Sequence, residues 1–282
     1  MAAVCNTCFR HCHLEEGMTG YCRARICREG EVTPSGYGGI TAISLDPIEK
    51  KPLARFCPGS MVLSAGFLGC NLNCPFCQNY DISYAGKDKA LEIPDTKYIS
   101  PERLVETALG LRSRGNIGLA FTYNEPLTSW EYVRDAGRLS HEAGMKNVLV
   151  SNGSASLEVL EEILPYIDAM NIDLKTFDPE IYSKSLGGSL DAVKAFIGRA
   201  CTDSHMEITT LVVPGISDSE DMIREMASWI ASLPGGKDIT YHLTRFFPRY
   251  KMDDVKATDV KLVYRLADIA SEYLEHVYTG NC

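Results

Sequence analysis

The sequence predicts an α/β protein built on a parallel sheet, preceded by a small cysteine-rich module. Three observations carry this. From Met61 onward, six short apolar runs of strand length alternate with amphipathic stretches of helical period, the pattern of repeated β–α units. Residues 1 to about 56 are instead rich in Gly, Arg and Cys and show no long apolar period. The balance of 45% hydrophobic and 23% charged residues over 282 positions supplies a core and excludes intrinsic disorder.

Taken in order, the chain divides into residues 1–56 and 57–282. In the first part, Cys5, Cys8, Cys12 and Cys22 offer four thiolates, a closed set suited to structural zinc or to a second iron–sulfur cluster. Cys27 is additional, and His11 and His13 read as surface residues beside the knuckle. Strands are expected at Met61–Phe67, Gly118–Thr122, Lys146–Ser151, Ala169–Leu174, Met206–Val213 and Ile239–Leu243. The intervening helices fall near Pro101–Arg114, Leu127–Ala143, Ser156–Ile167, Leu190–Arg199 and Asp218–Ser232, with a last one near Asp259–Tyr273. Ser100-Pro101-Glu102 places a capping Ser, an N1 Pro and a first-turn acid together. Pattern alone does not choose between a barrel and an open sheet.

Charge and cysteine usage narrow the function. With 28 Lys plus Arg against 37 Asp plus Glu, the net charge of −9 gives no support for a nucleic-acid partner. No run of 18 apolar residues is present to span a membrane. The start, MAAVCNTCFRHCH, lacks the order of a secretion signal. Eleven cysteines, an odd number, point to metal or redox chemistry in the cytoplasm rather than a disulfide scaffold.

The densest chemistry follows the first strand, in Gly69-Cys70-Asn-Leu-Asn-Cys74-Pro-Phe76-Cys77-Gln-Asn79. Three thiolates on one loop can wrap a single cluster, and a cubane has four irons, so one iron is left open. On residues alone, a structural zinc loop completed by a distant Cys or His is the alternative. Position favours chemistry, because β–α folds place their sites at strand C-termini.

This CxxxCxxC loop, with an aromatic before its last Cys, resembles the radical S-adenosylmethionine (SAM) superfamily. Within it, the chain resembles the pyruvate formate-lyase activating enzyme-like proteins and, more narrowly, the radical SAM member of the AmmeMemoRadiSam system. Further matching segments are Gly20-Tyr21-Cys22, Asp46-Pro-Ile-Glu-Lys-Lys-Pro-Leu53, Pro58-Gly-Ser60, Thr122-Tyr-Asn-Glu-Pro126, Ser151-Asn-Gly153, Asn171-Ile-Asp-Leu-Lys175 and Val277-Tyr-Thr-Gly-Asn281. Without the resemblance, Asp46–Leu53 reads as a charged turn leading into the first strand.

The resemblance implies a partial (β/α)6 barrel of TIM type and a 4Fe–4S cluster on Cys70, Cys74 and Cys77 that cleaves SAM to a hydrogen-abstracting 5′-deoxyadenosyl radical. It implies SAM contacts at Phe76, Asn79, Tyr123, Glu125, Ser151, Asn152, Asp173, Lys175, Val213 and His242, with Glu125 accepting from the methionine ammonium. It also implies an electron donor of flavodoxin or ferredoxin type and a protein or small-molecule substrate. Two features depart from true glycyl-radical activases. Val150 stands where those enzymes carry an Asp thought to help bind a monovalent cation, and the extra cysteines precede the radical motif instead of following it. The competing reading is an iron–sulfur or zinc electron carrier that does not bind SAM.

Overall fold

Capping side chains fix where the helices begin. Ser100, Ser156, Ser189 and Ser219 each accept from the amide three residues on, and Asp259 accepts from Lys261, satisfying donors that a helix start leaves free. They open α1 (Pro101–Gly110), α3 (Leu157–Ile163), α4 (Leu190–Ala200), α5 (Glu220–Ala231) and α6 (Val260–Ser271). Between α1 and α3, α2 (Trp130–Glu142) is entered through the 3-10 turn Pro126–Ser129, whose Leu127 amide is taken by the Glu125 carboxylate.

The computed structural model describes residues 1–282. Its main sheet has eight strands, β1 (Ala42–Pro47), β2 (Met61–Gly66), β3 (Asn116–Phe121), β4 (Lys146–Ser151), β5 (Ala169–Asp173), β6 (His205–Val212), β7 (Thr240–Arg245) and β8 (Val277–Gly280), lying side by side in chain order. β2 to β8 run parallel, and β1 adds to β2 antiparallel with Leu45 opposite Leu63. β1 and β8 are unpaired edges, so the sheet is a partial barrel and not a closed one. Right-handed crossovers that always advance in one direction put the helices on one face.

Strand alternation then separates two apolar layers. Leu63, Leu119, Leu149, Met170 and Ile208 join the large core with helix residues such as Leu104, Val133, Leu160 and Phe196. Their neighbours Val62, Ala120, Val148 and Ala169 face the other way and pack on Ile48 and Leu53, all fully buried. Residues 48–55 are therefore a plug inside the sheet's inner face. Asn171 Nδ2 donates to the Pro52 carbonyl at 2.7 Å, and the Ala54 and Arg55 amides donate to the Glu207 carboxylate at 2.9 Å each. The segment Asp46–Leu53, a charged turn when read without the resemblance, is drawn inward, because Ile48 and Leu53 fill the lumen and Lys51 is only 3% exposed.

Ahead of the sheet lie two small hairpins, Ala3–Val4 with His13–Leu14 and Arg25–Arg28 with Glu31–Pro34. They dock on the sheet's helices through a Cys8–Ala155 bridge, the Ser156 amide on the Thr7 carbonyl at 3.0 Å, and an Arg25–Glu131 ion pair at 2.6 Å. β1 belongs to the main sheet, and Ile48, Leu53 and Phe56 after it pack on the sheet's inner face. No helix is long and apolar enough to cross a membrane.

Candidate active site

A cavity of about 830 Å³ opens at the C-terminal ends of the parallel strands, lined in part by Asp46 of β1 and by Lys50 and Lys51 of the plug. Cys70, Cys74 and Cys77 line it from the β2 loop, with Phe76 and Asn79. That loop lacks regular structure until the single turn Tyr80–Ser83, so side chains secure its backbone. Asn124 accepts from the Phe67 amide and donates to the Gly69 carbonyl; Arg10 donates to the Asn71 carbonyl at 2.8 Å. Lys87 Nζ donates to the Cys70 and Leu72 carbonyls, and the Lys251 amide to Pro75. With those carbonyls engaged, the Leu72 amide and Asn152 Nδ2 point at Cys70 Sγ, at 3.4 and 3.7 Å.

Burial raises the thiol pKa values of all three, Cys74 to about 11. Lys87 pulls against this at Cys70, and Lys175 at Cys74 and Cys77. Metal binding drives out such protons. A tetrahedral zinc with bonds of about 2.3 Å holds its sulfurs about 3.8 Å apart, whereas no three cysteines of this chain come within 4.8 Å of one another. Cubane ligands sit on separate irons and are farther apart, so the donor set and its spacing fit a cluster. The one tight trio, Asp238, Glu275 and His276, lies before β7 and β8, at the opposite end of the sheet.

Glu125 is 1% exposed. Its Oε1 accepts from Ser151 Oγ at 2.8 Å and from the Leu127 amide at 3.1 Å, and its Oε2 from the Asn152 amide at 2.8 Å. Burial nevertheless pushes its pKa up to about 7 against those three bonds. Tyr123 sits at φ +73°, its carbonyl held by Asn79 Nδ2 at 2.5 Å and its hydroxyl donating to Asp46 Oδ2 at 2.7 Å. Asp173 pairs with Lys175 at 2.8 Å. Burial opposes the Lys175 charge, but Asp173 and Cys74 outweigh it and keep the ammonium protonated.

The structure brings Phe76, Asn79, Tyr123, Glu125, Ser151, Asn152, Asp173, Lys175 and His242 to this cavity and leaves Val213 outside. Strand β6 presents Thr209 and Leu211 instead. Val213 lies past the strand end, fully buried, with its amide taken by Ser217 Oγ at 2.9 Å. His242 reaches the cavity, but its Nε2 lies 2.6 Å from Glu207 Oε2 and its ring stacks on Tyr278. The sequence reading missed Asp46, Lys51, Asn124 and Glu207. A lone Glu inside the strand run Met206–Val213 was the available signal for the last.

The sequence profile of the Radical SAM superfamily matches residues 66–230, over half of the chain. The chain belongs to the radical SAM superfamily. It is 35% identical to an uncharacterised protein of Methanocaldococcus jannaschii, MJ0808, over 98% of this chain and 80% of that one. It is 24% identical to the pyruvate formate-lyase 1-activating enzyme of Escherichia coli K12, over 73% of this chain and 87% of that enzyme. Among solved structures, Streptococcus suis SuiB bound to S-adenosylmethionine shares the fold with a TM-score of 0.61 at 14% identity, across 78% of this chain and 52% of SuiB. This radical SAM protein is thus an enzyme, and its family works with a 4Fe–4S cluster and SAM.

Proposed function

We propose that this enzyme removes a hydrogen atom from a substrate C–H bond in the manner of a glycyl-radical activase, with Cys70, Cys74 and Cys77 holding the cluster and Glu125 holding the SAM ammonium. When bound, the reduced cluster and SAM supply the 5′-deoxyadenosyl radical. The chain's own part is placement. Asn124, Lys87 and Arg10 fix the loop carbonyls so that the thiols face the cavity. Ser151 and the Asn152 and Leu127 amides aim both Glu125 oxygens, and Asn79 ties the cysteine loop to the Tyr123 turn.

One observation carries this reading: Glu125 is a buried carboxylate whose hydrogen-bond partners are all neutral. No cation is bonded to it, since the nearby Lys175 ammonium is paired with Asp173, and an ammonium beside three cluster-type cysteines supplies one. The E. coli relative's name, an activating enzyme, supports a polypeptide C–H bond as the target. Val150 in place of the activases' Asp leaves this protein without that carboxylate for a monovalent cation. The electron comes from a flavodoxin- or ferredoxin-class donor, and the cysteine-rich, thiol-dependent site suits a reducing cytoplasm.

The test is 5′-deoxyadenosine release from SAM by the dithionite-reduced protein. Wild type is expected to release it, and Cys70→Ala, Cys74→Ala and Cys77→Ala are expected to release none. Turnover surviving in any of the three overturns the assignment.

A further inference from the structure

A second set of thiols abuts the radical loop from behind. Cys5, Cys8 and Cys12 ride on the loop that closes the first hairpin, where the Cys5 amide donates to the Cys12 carbonyl at 2.9 Å and the His11 amide to Cys8 at 3.2 Å. Cys22 arrives on a separate turn, in which the Arg23 amide donates to the Gly20 carbonyl. Cys5, Cys8 and Cys22 are 5–7% exposed and lie near one another, and Cys12 is half-buried on the same loop as Cys5 and Cys8. All are free thiols. Cys27 stands apart, its thiol against the Met1 carbonyl at 3.7 Å.

From this we infer that Cys5, Cys8, Cys12 and Cys22 form a second iron–sulfur site, of the 4Fe–4S class. Unbridged cysteines, three buried and one half-buried, gathered from two loops are a metal-ligand arrangement, and three local ligands plus one distant ligand suit a cluster. Spacing favours a cluster over zinc: no three cysteines make a trio as tight as Asp238, Glu275 and His276, whereas one tetrahedral ion draws its sulfurs to about 3.8 Å.

The site's placement gives it meaning. Gly69 is at φ +93°, and a side chain there would run into the Cys22 carbonyl and Ala24. The Cys22 backbone therefore lies flush on the residue before Cys70. Cys8 lies beside the Asn71 side chain, whose Oδ1 accepts from Asn152 Nδ2 at 2.8 Å, and the same amide reaches Cys70 Sγ. Lys87 lies between the two sets, its Nζ donating to the Cys70 carbonyl and close to Cys22. The inference uses the proposed radical cluster only for its position.

The decisive experiment is iron, sulfide and zinc analysis with electron paramagnetic resonance on anaerobically purified full-length Cys70→Ala/Cys74→Ala/Cys77→Ala protein. About four irons and four sulfides per chain are expected to remain, with a reduced-cluster signal unchanged by SAM. Zinc in their place, or no metal at all, overturns the inference. If that variant does not fold, wild type settles the question by Mössbauer counting. About eight irons per chain support the second site, and about four, with or without zinc, contradict it. A Cys5→Ala/Cys8→Ala protein is expected to lose half its iron and keep a SAM-responsive signal. Failure of that response alone would indict the radical site and leave the second one standing.

Discussion

Glu125 and Glu207 are both essentially buried, and both have their oxygens in hydrogen bonds, yet the protein pushes their proton affinities in opposite directions. Glu125, at the strand-end cavity, is raised to about 7 because burial outweighs three neutral donors. Glu207, under the plug, is held down at about 2, because His205, His242 and the Arg55 and Ala54 amides together overcome its burial. Glu207 is completed inside the fold and anchors it. Glu125 has no cation bonded to it, the nearby Lys175 being paired with Asp173, and that is the mark of a binding group. Burial alone would not have told the two apart; Glu207 accepts four bonds, two of them from imidazoles, against three for Glu125.

The comparison can be broken at several points. Glu207→Ala strands two imidazoles and two plug amides, and should cost about 3 kcal/mol or more, read as a lower denaturation midpoint with SAM affinity changed far less. Next, Glu125→Gln keeps the shape and removes the charge. It should weaken SAM binding by roughly 10- to 100-fold, the size of a charge-assisted hydrogen bond, while leaving the cluster in place and stability at pH 8 equal or higher. By contrast, Glu207→Gln should lower stability. Equal signs for the two Gln variants would erase the distinction.

Acidity separates them further. Glu125 has a raised folded pKa, so its stabilising contribution is complete below its unfolded value near 4.5 and is lost as pH rises through about 7; the ammonium needs the ionised form. SAM affinity should therefore climb with pH up to about 7, at most about tenfold per unit, and level off above it. In Glu125→Gln that climb should vanish. Glu207 has a depressed pKa, so its contribution is present above 4.5 and disappears as pH falls toward about 2, visible as acid unfolding. The smallest effect is expected from Tyr123→Phe, which removes the bond to Asp46 and should cost about 1 kcal/mol, with a modest rise in SAM dissociation.

Much of this was legible in the sequence. Six strands and their helices announced themselves by period, because burial on both faces forces continuous apolar runs, and the Ser100 cap by its place before Pro101 and Glu102. The cysteine loop was legible because ligand spacing is local. β1 was not, since an edge strand with a mixed burial pattern and a terminal Pro carries little signal. β8 is four residues long, too short for any period. The plug hid behind Glu49, Lys50 and Lys51, whose charges suggested solvent although Ile48 and Leu53 bury the segment. Glu207 and Asn171 were overlooked because their partners, the plug backbone, lie more than 100 residues away.

The most direct test of the central claim is electron paramagnetic resonance of the anaerobic, dithionite-reduced protein, with and without SAM. A reduced-cluster signal that shifts on adding SAM, and is lost in Cys74→Ala, is the predicted result. A wild-type signal indifferent to SAM, or one that persists and still shifts without Cys74, would contradict the account.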